Sequence, residues 1–208
     1  MKQKDIKGFY LITPNINSTA YVPVVNYAVQ KGVTFIQYRN KEKPVAEKRT
    51  DLEALMSLVP SETLIVNDDI DLAADFGLGV HLGKDDENVA QARHRLGKDV
   101  IIGASCYADM AMAQDAVMAG ASYLAFGSVF ASPTKKQATN APLSIFSQAK
   151  KTFPDIPLVA IGGITPGNAS MVFDAGADAI AVISAVFAAP DPYLAIDQFL
   201  EVIHAISF

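Results

Sequence analysis

A single α/β domain, residues 1–208, closed as a (β/α)8 TIM barrel is the fold predicted by three features of the sequence. They are eight short apolar runs, an amphipathic segment after each, and a glycine phrase that recurs between helix and strand. The apolar runs are Phe9–Thr13, Val33–Tyr38, Leu64–Asn67, Gly79–Leu82, Val100–Ser105, Tyr123–Phe126, Leu158–Ile161 and Ala179–Ile183. Each is short and rich in Val, Ile, Leu or aromatic residues, as parallel strands covered on both faces must be. Helical spacing follows over Tyr21–Gln30, Ala46–Leu58, Asp69–Asp75, Glu87–Leu96, Ala108–Ala119, Ser144–Thr152, Gly167–Ala175 and Asp191–Ile206. The phrases Lys31-Gly32-Val33, Phe76-Gly77-Leu78, Ala119-Gly120-Ala121 and Ala175-Gly176-Ala177 each put a glycine where a helix must stop and a strand begin. Their spacing of roughly two βα units gives the chain the look of a βαβα module used four times. An open doubly wound sheet has the same alternation and stands as the alternative.

Composition narrows the function. The 208 residues are 50% hydrophobic and 19% charged, enough to fill a large core and unlike a disordered chain. A net charge of −5 speaks against nucleic-acid or acidic-membrane partners, which need clustered Lys and Arg. One cysteine, Cys106, excludes an internal disulfide. With no signal-like or membrane-spanning apolar run, a soluble cytoplasmic protein is expected. The state of assembly is left open, a homo-oligomer included.

In such a barrel the chemistry sits where strands end, so the polar residues just after each strand matter most. Gln37-Tyr38-Arg39-Asn40-Lys41 follows the second strand. Continued alternation would send Gln37, Arg39 and Lys41 together into the mouth as an anion site, against the plainer reading of a solvated basic turn. Asn67-Asp68-Asp69 follows the third strand, where Asp69 suits a helix cap. After the fourth comes His81-Leu82-Gly83-Lys84-Asp85-Asp86. Two acidic pairs on neighbouring loops suit Mg²⁺, which takes oxygen ligands and bridges to substrate phosphates. The sixth strand runs into Gly127-Ser128-Val129-Phe130-Ala131-Ser132-Pro133-Thr134-Lys135-Lys136, a loop long enough to cover a ligand. Gly162-Gly163 and Ser184 follow the last two strands, where barrels often hold a phosphate on backbone N–H groups; a tight turn is the plainer reading of the glycines.

The blocks YLITP, GVTFIQYRNK, LIVNDDIDLAADFGLGVHLGKDD, IIGAS, FGSVFASPTKK and VAIGGITPGNASMVFDAGADAIAVISAVF, in that order, resemble the thiamine phosphate synthase family. The resemblance implies a Mg²⁺-assisted transferase of thiamine biosynthesis. Its small-molecule substrates would be 4-amino-2-methyl-5-hydroxymethylpyrimidine diphosphate and 4-methyl-5-hydroxyethylthiazole phosphate. By that resemblance Gln37, Arg39 and Lys41 match the diphosphate segment. Asn67 and Asp68 match the pyrimidine side, and Asp68 and Asp86 match the metal carboxylates. Ser105 matches a substrate contact, and Ser132, Thr134 and Lys135 match the loop, with Lys135 near the diphosphate. Gly163, Ile183 and Ser184 match the thiazole-phosphate cradle. Arg39, Lys41, Asp68 and Lys135 would be the catalytic set.

Four positions depart from the family pattern: Lys84 stands for the usual Gln, Cys106-Tyr107 for a small residue followed by His, Ser132-Pro133 for a Thr-containing sequence, and Tyr38 for an aliphatic packing residue. Other residues are given plain roles: Cys106 a buried thiol, His81 a packed and hydrogen-bonded imidazole, His94 and His204 helix-surface residues, and Phe126, Phe130, Phe173 and Phe187 core, with a pocket wall the alternative for Phe130. A Schiff base on Lys135 would leave the acidic pairs without a purpose. The competing functions are a thiazole tautomerase, whose characteristic His is replaced by Tyr107, and a non-catalytic paralogue that binds a thiamine-related phosphate. A phosphosugar isomerase or epimerase would carry its catalytic carboxylates or His deep in the barrel.

Overall fold

The computed structural model describes residues 6–33, 35–84, 88–131 and 141–206. Eight parallel strands close on themselves in sequence order: β1 (Gly8–Ile12), β2 (Phe35–Tyr38), β3 (Leu64–Asn67), β4 (Gly79–Leu82), β5 (Ile102–Tyr107), β6 (Tyr123–Gly127), β7 (Leu158–Ile161) and β8 (Ala179–Val182). β8 returns to β1 with Gly8 beside Ala179 and Leu11 beside Val182, which excludes the open doubly wound sheet. Around the barrel lie α1 (Ser18–Gln30), α2 (Val45–Met56), α3 (Ile70–Phe76), α4 (Val89–Leu96), α5 (Met110–Met118), α6 (Ser144–Thr152), α7 (Ala169–Asp174), the short α8 (Ser184–Phe187) and α9 (Pro192–His204). All four phrase glycines adopt positive φ, the left-handed conformation that ends a helix and that a side chain would oppose.

Where boundaries differ from the sequence reading, a local cap or turn explains several of the differences. α4 starts at Val89 because Asn88 and Gln91 form a reciprocal capping box. α5 starts at Met110 because Asp109 accepts from the N–H groups of Ala111 and Met112. α7 waits until Ala169, since residues 165–168 form a turn in which Asn168 Oδ1 accepts from Thr165 N at 2.8 Å. β8 stops at Val182, and Ile183 turns the chain into α8. Among the described residues no helix is long and apolar enough to cross a membrane.

Strand alternation divides the core in two. One face of each strand packs against the helices, where Leu11, Ile36, Val66, Val80, Leu124, Phe126 and Ile180 lie buried. The other face fills the barrel with Tyr10, Ile12, Phe35, Ile65, Tyr123, Ala125, Val159, Ala179 and Ala181. The interior is therefore packed side chain, not a pore, with Tyr10, Tyr123 and Gln37 carrying polar groups into it.

Candidate active site

β2 supplies the first group, but not as simple alternation would have it. Gln37 points inward, only 2% exposed, and Tyr38 points outward, its hydroxyl donating to Asp51 on α2 at 3.0 Å. The strand then ends. Asn40 Oδ1 accepts from the N–H groups of Glu42 and Lys43 at 3.1 and 3.0 Å, turning the chain over itself. Arg39 and Lys41 consequently diverge. Arg39 is braced against the loop after β1, its backbone N–H donating to Thr13 Oγ1 at 2.9 Å and its Nη1 to Asn15 Oδ1 at 3.2 Å. Lys41 crosses to β3 and pairs with Asp68, Nζ to Oδ2, at 2.8 Å. The turn at Asn40 thus gives Arg39 and Lys41 different partners on the rim, the loop after β1 and Asp68 after β3.

The three polar residues after β3 have three different settings. Asn67 lies beside His81 in the strand register. Asp69 caps α3, accepting from Leu72 N at 2.9 Å. Asp68 sits between them with φ +67°, a left-handed backbone that few side chains accept and that Asp and Asn tolerate best; its N–H donates to the carbonyl of His81 at 2.8 Å. Non-glycine residues in this conformation tend to mark functional positions. Asp85 and Asp86 lie outside the described residues. Among the described residues no three metal-ligating side chains cluster. A hard oxygen donor beside a cation fits Mg²⁺ held by one or two carboxylates plus substrate oxygens, not an all-protein cage.

Below this rim a chain of polar side chains runs through the barrel. Gln37 Nε2 donates to the Tyr10 hydroxyl at 3.0 Å, and the Tyr10 and Tyr123 hydroxyls lie 2.9 Å apart. Tyr123 Oη meets His81 Nδ1 at 2.8 Å, and His81 Nε2 meets Ser105 Oγ at 2.9 Å. The packed, hydrogen-bonded role expected for His81 is what the structure shows. Gly103 makes the chain possible: a Cβ there would stand 2.0 Å from Tyr123 Cζ and 2.3 Å from its hydroxyl oxygen. Gly103→Ala is therefore expected to displace the ring and destabilise the fold by about 1–3 kcal/mol through overpacking alone. Urea unfolding measures this, and an unchanged midpoint would refute the steric reading. Polarity directly after a strand does not single out Tyr10 and Tyr123, which lie within β1 and β6, and Thr13 and Asn15 enter only through their bonds to Arg39. The inward parity of Tyr10 with Ile12 was the available signal for the first.

The remaining rim is backbone-rich. Gly162 and Gly163 have φ of +104° and +65°. Added Cβ atoms would meet Ser128 Oγ at 2.2 Å and the Phe130 carbonyl at 2.7 Å. Val129 and Phe130 donate their N–H groups to the carbonyls of Ile161 and Gly162, both at 3.0 Å. The glycines thus let the chain after β6 lie directly on that after β7. Ile183 precedes α8, and Ser184 is exposed at its first turn. Ser132, Thr134 and Lys135 lie outside the described residues. Cys106 is buried, its thiol pushed up to about 12 by burial and then by the charge of Asp109, so it is no nucleophile. Tyr107 ends β5 after a register shift, with φ +53° and 44% of its surface exposed. His94 and His204 are exposed on helices, as expected.

A closed parallel barrel with an amide, a serine, a histidine and an Asp–Lys pair at its C-terminal mouth belongs to the class of (β/α)8 enzymes. The sequence model for thiamine monophosphate synthase matches residues 9–186. The thiamine-phosphate synthase of Methylobacillus flagellatus is 44% identical over 190 residues, covering 89% of this chain and 90% of that protein. That of Nitrosococcus oceani is 45% identical over 195 residues, covering 89% and 88%. The structure of thiamine phosphate pyrophosphorylase from Pyrococcus furiosus superposes with a TM-score of 0.83 at 34% identity, covering 97% of each chain. The chain belongs to the thiamine monophosphate synthase family, transferases of thiamine biosynthesis.

Proposed function

We propose that this chain, acting as one barrel domain, joins the hydroxymethylpyrimidine diphosphate to the thiazole phosphate, giving thiamine phosphate and diphosphate. The observation that carries the reading is the Lys41–Asp68 pair at the mouth, in a chain of this family. The bond from the pyrimidine methylene carbon to the diphosphate oxygen breaks, and its electron pair leaves with diphosphate. The electron-rich aminopyrimidine stabilises the cation left behind, and the thiazole nitrogen lone pair forms the new C–N bond. No protein nucleophile is needed, which accords with the protonated, buried Cys106.

Arg39, Lys41 and Lys135 neutralise the departing diphosphate, where fixed charges are worth most. Gln37, Asn67 and Ser105 orient the pyrimidine diphosphate, and Ser132 and Thr134 add substrate-binding hydroxyls. Gly163, Ile183 and Ser184 receive the thiazole phosphate. Asp68 and Asp86 would hold Mg²⁺, which supplies Lewis-acid stabilisation of the leaving group. Positioning the two substrates supplies much of the remaining rate. Against a tautomerase, Tyr107 places a phenol where that reading wants an imidazole.

A coupled assay of diphosphate release, with both substrates and with Mg²⁺ present or chelated, tests the proposal. Release that requires both substrates and metal, with the product mass of thiamine phosphate, is the expected result. Folded protein that binds the thiazole phosphate yet releases nothing would transfer the case to the tautomerase or the non-catalytic paralogue.

A further inference from the structure

The polar chain inside the barrel has a direction, and that direction decides what Ser105 offers at the mouth. A tyrosine hydroxyl carries one hydrogen, and so does a neutral imidazole. Burial pushes the ionisation of Tyr10 and Tyr123 upward, so both hydroxyls keep their hydrogen at neutral pH. An imidazole nitrogen that accepts a hydrogen bond carries no hydrogen, so a ring that accepts at one nitrogen is neutral.

With those hydrogens counted, each bond orients the next. Gln37 Nε2 donates to Tyr10, so the hydrogen of Tyr10 must go elsewhere. Its one other hydrogen-bond partner among the described residues is Tyr123 Oη, at 2.9 Å. Having accepted, Tyr123 gives its own hydrogen to His81 Nδ1. Nδ1 is then bare and the ring hydrogen sits on Nε2, facing Ser105 Oγ at 2.9 Å. Ser105 accepts, and its hydroxyl hydrogen is left to point away from the chain. Turning the Gln37 amide over, with its oxygen toward Tyr10, would reverse every bond and leave Ser105 donating to His81.

We infer that Gln37, Tyr10, Tyr123 and His81 form a one-way hydrogen-bond relay that holds His81 as its Nε2–H tautomer and presents Ser105 as a donor to an acceptor atom of the substrate. Tyr10, Tyr123 and His81 are positioning residues in this scheme; no proton passes along the relay. The inference rests on the proposed function only in placing substrate against Ser105. The tautomer itself is a property of the free protein.

Nitrogen-15 NMR of the histidine rings in the substrate-free full chain reads it directly, with His94→Gln and His204→Gln variants giving the assignment. The wild type is expected to show Nε2–H at His81. Gln37→Glu in mildly alkaline buffer places an acceptor-only carboxylate at the head of the relay and is expected to switch His81 to Nδ1–H. Tyr10→Phe removes one oxygen two bonds from His81 and is expected to raise the Nδ1–H share from undetectable to a measurable fraction. It is also expected to lower kcat/KM about three- to tenfold. A wild type in the Nδ1–H form, or a His81 tautomer unchanged in either variant that folds, would overturn the relay. Wild-type protein with the expected tautomers but no diphosphate release would sink the functional reading and leave the relay standing.

Discussion

Asp68→Asn is expected to lower diphosphate release about a hundred- to a thousandfold while leaving the melting temperature nearly unchanged. Asparagine is the informative replacement because it accepts the left-handed backbone at φ +67° as readily as aspartate. Alanine would mix a catalytic loss with strain of about 1–2 kcal/mol. The amide keeps the shape but removes the charge that faces Lys41 at 2.8 Å and would hold Mg²⁺. Stability changes little because both partners are partly solvated, their side chains 55% and 25% exposed, and such pairs contribute about 0–1 kcal/mol. kcat at saturating substrates, taken with a thermal melt of the same sample, checks both halves. Partial recovery at raised Mg²⁺ would mark a weakened metal site, and an undiminished kcat would remove Asp68 from the proposed catalytic set.

The same residue shows how far a linear reading of this chain reaches. β3, β4, β7 and α6 fall on the ranges that apolar runs and helical spacing predict. Those signals are local: strand parity sets inside against outside, and a cap or glycine sets each end. The rim residues were legible as types, since polar groups directly after apolar runs must sit at the barrel mouth. Their directions were not. Asn40 turns the chain with its own side chain, so Arg39 faces the loop after β1 while Lys41 faces β3. The interior relay was less legible still. Tyr10 and Tyr123 are 113 positions apart and meet only because the barrel closes and Gly103 leaves room for the ring. Tyr38 read as a packing residue. It is buried, but its hydroxyl serves a charge on the next helix, a partner that no period in the sequence reveals.

That charge is Asp51, and its removal is expected to be the most costly single change to stability away from the mouth. Asp51 is 2% exposed on the barrel-facing side of α2. Both of its oxygens accept from Lys43 Nζ, at 3.0 and 2.8 Å, and one accepts from Tyr38 at 3.0 Å. Asp51→Ala strands a largely buried ammonium and a buried hydroxyl, which costs about 3–5 kcal/mol, or a fall in Tm of roughly 10 °C. The pH dependence has a definite sign. Burial alone would raise the Asp51 pKa, but hydrogen bonds from Lys43, Ser18 and Tyr38, with the charge of Lys43, hold it below the ordinary 3.8. A carboxyl depressed on folding stabilises the protein above its unfolded pKa, and that stability fades as pH falls through the folded value. Wild-type stability should therefore drop in acid below about pH 4, and Asp51→Asn should lack that part of the drop. Lys43 also belongs to the turn that carries Arg39 and Lys41, so the buried pair anchors the cationic rim from below. Asp51→Asn, assayed where it is folded, is expected to raise KM for the diphosphate substrate more than it lowers kcat. A variant as stable as wild type at neutral pH and equally sensitive to acid would show that the pair anchors nothing.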